Sequence, residues 1–89
     1  MTFQWDPEKA RINIAKHGIS FADAVSVLSD DRALTIEEDY PDEQRFITLG
    51  MDALGKTLVV VYAWRGDDIR IISARKAIPR EQKRYEENL

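Results

Sequence analysis

The chain has 89 residues, 44% of them hydrophobic and 33% charged, which is material for one packed core, so residues 1–89 read as a single domain. Sixteen acids against thirteen bases leave a net charge of −3, unlike the basic footprint of most nucleic-acid binders. The absence of Cys excludes disulfides and a Cys nucleophile, and a single His argues against a protein-built zinc site, so no metal or other cofactor is expected.

Thr2 to Trp5 alternates polar and apolar residues and predicts a short first strand. Asp6-Pro7 opens a helix, because Asp caps free N–H groups and Pro suits the first helical position; Gly18 ends it after His17. Ser20 to Asp23 fits a capping box, and Phe21, Ala24, Val25 and Leu28 give the second helix one apolar face. Ala33 to Glu37 predicts the second strand, and Glu38 to Glu43 an acidic turn. Arg45–Gly50, Thr57–Trp64 and Ile69–Arg75 predict three further strands joined by hairpins at Gly55 and Gly66. Pro79 starts a last helix from Arg80 to about Asn88 whose one large ring is Tyr85, so it must dock through a narrow seam or fold on a partner. The order β-α-α-β-β-β-β-α implies an α+β domain with helices packed on a largely antiparallel sheet. The longest apolar run, Leu58 to Trp64, is far short of the roughly 20 residues of a membrane span. No basic-then-apolar leader opens the chain, so a cytoplasmic protein without a membrane partner is expected.

Net charge conceals a split. Residues 1–44 hold ten acids and four bases, a net of −6; residues 45–89 hold nine bases and six acids, a net of +3. Local charge steers an anionic partner more effectively than the total. Simple alternation along the last strand sends Ile69, Ile71, Ser73 and Arg75 to one side and Arg70, Ile72, Ala74 and Lys76 to the other. Arg70 sits just after the hairpin and Arg75 at the far end of the strand, so the two do not form one tight cluster. Lys16 and His17 suit the C-terminal end of a helix dipole, and His17 is also the one side chain whose ordinary pKa favours proton transfer near neutrality. Trp5 and Trp64 read as core residues. Ser73 lacks a triad partner at recognisable spacing, and no phosphate-binding glycine motif occurs.

Several short motifs fall in order along nearly the whole chain: Trp5-Asp6-Pro7-x-Lys9, Asn13-x-x-Lys16-His17-Gly18-x-x-Phe21-x-x-Ala24, Glu43-x-Arg45, Arg70-x-Ile72-Ser73-Ala74-Arg75-x-Ala77, then Glu81 and Tyr85. Together they resemble the BrnT family of toxins from bacterial type II toxin–antitoxin systems. The resemblance implies a RelE-like fold and a metal-independent ribonuclease that cuts RNA to arrest translation and growth. It also implies a cognate ribbon-helix-helix antitoxin, similar to BrnA, through which alone operator DNA is bound. Cleavage would proceed by attack of the 2′-hydroxyl on the adjacent phosphate. The catalytic residues implied are His17 for proton transfer, Arg45, Arg70 and Arg75 for the phosphate, and Tyr85 as partner of Arg75; Lys16, Arg65, Lys76 and Arg80 are the RNA-binding candidates. The alternative is a small non-catalytic adaptor whose basic edge holds RNA or an acidic protein.

Overall fold

The computed structural model describes residues 1–89 and has the expected element order. β1 (Phe3–Gln4) precedes α1 (Pro7–His17) and α2 (Phe21–Val27); β2 (Leu34–Asp39), β3 (Gln44–Met51), β4 (Thr57–Arg65) and β5 (Asp68–Lys76) follow, and α3 (Pro79–Glu87) comes last. The caps behave as their residue types require. Asp6 accepts from Glu8 N–H at 2.9 Å, Ser20 accepts from Asp23 N–H at 3.1 Å, and Gly18 takes the left-handed φ of 72° that closes α1.

The sheet order is β1-β5-β4-β3-β2; every neighbouring pair is antiparallel except β1 with β5. Its two faces bury different things. On one, α1 and α2 cover Leu58, Val60, Tyr62, Ile71 and Ala74, with Ile19, Phe21, Ala24 and Val27 completing the main core. Each fully buried large side chain there contributes about 1.5–3 kcal/mol relative to exposure. Asn13 ties α1 to this face: its amide donates to the Ala74 and Ile19 carbonyls at 2.8 and 2.9 Å and accepts from Ala74 N–H at 3.2 Å. Gly50 gives α2 room, since a Cβ there would stand 2.9 Å from Val27 Cγ1. On the opposite face α3 contributes only Tyr85, which packs with Leu49 and Val59 and has 3% exposure. The narrow seam expected of that polar helix is this one ring.

Three expectations need correction. Glu38 and Asp39 are not turn residues; they extend β2 opposite Arg45 and Gln44, and the turn proper is Tyr40 to Glu43, closed by reciprocal backbone bonds of 3.0 and 3.3 Å. The cross-strand placement of Glu38 against Arg45 favours the longer strand. Trp64 is not core: it is 46% exposed, and Trp5, at 37%, is only half tucked in, its ring edge-on to Phe21 at 6.0 Å. The third correction concerns β5. Val61 lies opposite Ser73 and Tyr62 opposite Ile71, so Ile72 is an inserted residue without a partner, a bulge. The insertion reverses the alternation beyond it and puts Arg70, Ser73 and Arg75 on one face, the one that α3 covers in part.

Candidate functional site

The bulge builds a row. Arg45 of β3 lies opposite Ala63 of β4, and Ala63 lies opposite Arg70 of β5. The two arginines thus leave the same face two strand spacings apart, roughly 10 Å between backbones. Ala63 between them is fully buried. Two long, permanently charged forks flanking one small residue make a seat for an anion with several oxygens.

The turn before β3 adds a carboxylate. Glu43 accepts from Arg45 Nε at 3.3 Å and lies 3.6 Å from a terminal nitrogen of Arg65. Arg45 bonds Glu43 through Nε alone, and its guanidinium stacks over the Tyr40 ring at 4.2 Å. Tyr40 and Glu43 are the two residues that close the turn, so the backbone bonds that shape the hairpin also position both groups around Arg45. Arg70 enters no ion pair.

Arg75 lies on the same face, opposite Val59 and four residues along β4 from Ala63, about 13 Å from Arg70. Both of its terminal nitrogens are taken by Glu81, at 2.8 and 2.9 Å. The Arg75 fork pulls the Glu81 carboxyl down to about 2, helped by a bond from Ile78 N–H at 2.9 Å, while Glu81 raises Arg75 in return. Tyr85 donates its hydroxyl to Asp30 at 2.6 Å; that bond to a carboxylate, with burial, raises the phenol above its ordinary value. Burial alone would raise Asp30, but bonds from Tyr85, Met51 N–H and Arg32 N–H outweigh it and hold the carboxyl below its usual value. Arg75 and Tyr85 are therefore occupied in fastening α3 to the sheet and to the α2–β2 loop.

The remaining candidates are dispersed. Half-buried His17 ends α1, the helix on the other side of the sheet, and no hydrogen bond or ion pair joins it to any of these arginines. Lys16 is exposed beside it. Arg65 stands at the end of β4 next to Glu43; Lys76 ends β5 opposite Leu58, and Arg80 is exposed in the first turn of α3. The role of Glu43 beside Arg45 was not read from the residues, although both belong to one of the short motifs; the spacing of two along a strand end was the available signal.

A small α+β domain carrying a paired-arginine seat and an adjacent carboxylate has the equipment of a protein that acts on phosphate esters. Comparison with known proteins narrows the class. A model of the family described as the ribonuclease toxin BrnT of type II toxin–antitoxin systems matches residues 5–81, and the chain belongs to that family. The fold matches the 1.1 Å crystal structure of the Brucella abortus ribonuclease toxin BrnT, with a TM-score of 0.70 and 31% identity over 88% of this chain and 97% of that one. No curated protein matches. Membership in a type II toxin–antitoxin family implies an antitoxin as partner. No helix is long and apolar enough to cross a membrane.

Proposed function

We propose that this chain is an endoribonuclease that cuts RNA without a metal ion at the Arg45–Arg70 row, arresting translation until a ribbon-helix-helix antitoxin neutralises it. The observation that carries the proposal is the alignment of Arg45, Ala63 and Arg70 in one register row with Glu43 against Arg45. Arg45 and Arg70 take the non-bridging oxygens of the scissile phosphate and stabilise the charge that grows on them as the 2′-oxygen attacks. Loss of one such contact typically costs about 2.7–4 kcal/mol of barrier. Glu43 accepts the 2′-hydroxyl proton, and Arg45 at 3.3 Å keeps the carboxylate oriented. The bond from phosphorus to the 5′-oxygen breaks, that oxygen takes a proton from water, and the products are a 2′,3′-cyclic phosphate and a 5′-hydroxyl end. Proton transfer is assigned to Glu43 rather than His17 because Glu43 is bonded to Arg45 of the row, whereas His17 ends a helix on the other side of the sheet. Arg75 and Tyr85 are assigned to holding α3, and Arg65 and Arg80 to the path of the RNA outside the seat; Lys16 and Lys76 belong to the other side of the sheet and are given no part in it.

The test incubates the purified chain with end-labelled RNA in excess EDTA and identifies the new ends. Fragments with 2′,3′-cyclic phosphate termini are the expected result. Intact RNA that the chain still binds would make it a non-catalytic adaptor.

A further inference from the structure

The face that carries the arginine row continues into a groove of about 710 Å³ between α3 and the outer strands. Its floor is aliphatic. Tyr85 covers Leu49 and Val59, but Leu34 and Ile47 stay only half-buried and Ile36 is 59% exposed. These residues lie opposite one another in β2 and β3, so they form a continuous apolar strip rather than scattered contacts. The wall is one flank of α3: Arg80, Glu81, Lys83, Arg84 and Glu87 line it, and while Glu81 is held by Arg75 the three bases enter no ion pair.

We propose that this groove receives an amphipathic, acidic segment of the antitoxin, its apolar side chains on Leu34, Ile36 and Ile47 and its carboxylates on Arg80, Lys83 and Arg84. Charge selects the occupant. The lining holds three bases and two acids, of which Glu81 is already paired with Arg75, so three free bases face one free acid. That balance favours a carboxylate-rich segment, and a second copy of this chain docking symmetrically would bring one basic wall against another. RNA satisfies the wall but not the floor, which has no exposed ring on which a base would stack. The location also explains neutralisation. Ile47 is the next residue of β3 after Arg45 on this face, so a segment seated in the groove overlies the approach to the row. The proposal rests on the nuclease reading only in this last respect.

The experiment titrates the full chain with its antitoxin, the product of the reading frame beside its own gene, by calorimetry. It compares the wild type with Ile36→Asp, with Lys83→Glu/Arg84→Glu, and with the control Leu54→Asp at an exposed site outside the groove; circular dichroism checks folding. Ile36 and Leu54 are 59% and 72% exposed, so neither change removes core. A loss of affinity of at least tenfold for each groove variant, with the control unchanged, is the expected result. Equal affinity across all variants overturns the groove, and if the antitoxin still blocks cleavage the nuclease reading stands. Self-association of the wild type that Ile36→Asp abolishes makes the occupant a second copy. Loss of a labelled RNA oligonucleotide by Ile36→Asp makes it RNA, and either result overturns the proposal. A wild type that neither cuts RNA nor binds the antitoxin overturns both readings.

Discussion

At one end of the sheet face that α3 partly covers, Arg45 and Arg70 flank buried Ala63, Arg70 without an ion pair and Arg45 bonded to Glu43 through Nε alone. At the other end, Arg75 is gripped by both oxygens of Glu81, and Tyr85 is buried with its hydroxyl on Asp30. Both ends hold arginines on the same face of the sheet. What separates them is the state of the donors: free to meet a phosphate at the first end, already satisfied at the second. An arginine whose two terminal nitrogens are engaged must break that pairing before it can hold a substrate, whereas Arg70 has nothing to break.

The strongest way to break this contrast is to remove the free pair. Arg45→Ala and Arg70→Ala are each expected to lower the cleavage rate by about 10²–10³-fold, read from gel-resolved RNA fragments, with the fold retained by circular dichroism. Glu43→Gln keeps the shape of the side chain but removes its basicity, and is expected to cost about 10²-fold in kcat, the lower end for a general base. His17→Asn should cost far less than Glu43→Gln; the reverse ranking would return proton transfer to His17.

At the fastened end the expected effects are on stability. Tyr85→Phe deletes a bond to a carboxylate and leaves Asp30 short of a donor, which should destabilise the chain by about 1.5–3 kcal/mol in thermal or urea melts, with cleavage by the folded fraction unchanged. Glu81→Gln is the mildest. Glu81 titrates at about 2 in the folded chain against an ordinary 4.5, so its contribution is complete above the higher value and disappears as pH falls from there towards the lower. Because Arg75 is partly exposed and solvent screens the pair, the contribution is on the order of 1–2 kcal/mol. The wild type should lose that much more stability than Glu81→Gln across this acid range, as followed by urea melts at stepped pH.

Local rules carried the helix boundaries: Asp6, Ser20 and Gly18 act within a few residues of themselves, so their roles are readable without knowing the rest of the fold. The strands of the second half were legible from their apolar runs, and Tyr85 stood out as the one anchor of α3. The arginine seat was not legible, because it depends on Ile72 being an extra residue in β5, and a bulge is set by pairing with β4 rather than by the composition of either strand. Without the bulge, alternation places Arg70 and Arg75 on opposite faces; with it, Arg70 joins Arg45. The fastening of Arg75 and Tyr85 escaped detection for a related reason. Asp30 is 55 residues from Tyr85 in the chain, and no spacing rule links them. Glu38 and Asp39 read as turn because clustered acids oppose strand formation in isolation, yet Glu38 gains Arg45 as its cross-strand neighbour.

The contrast between the two ends is tested most directly by measuring single-turnover RNA cleavage in EDTA for Arg70→Ala and Tyr85→Phe side by side, each at a temperature where it is fully folded. Cleavage lost in Arg70→Ala and retained in Tyr85→Phe is the expected result. Cleavage retained in Arg70→Ala and lost in folded Tyr85→Phe would place the chemistry at the fastened end and contradict the assignment.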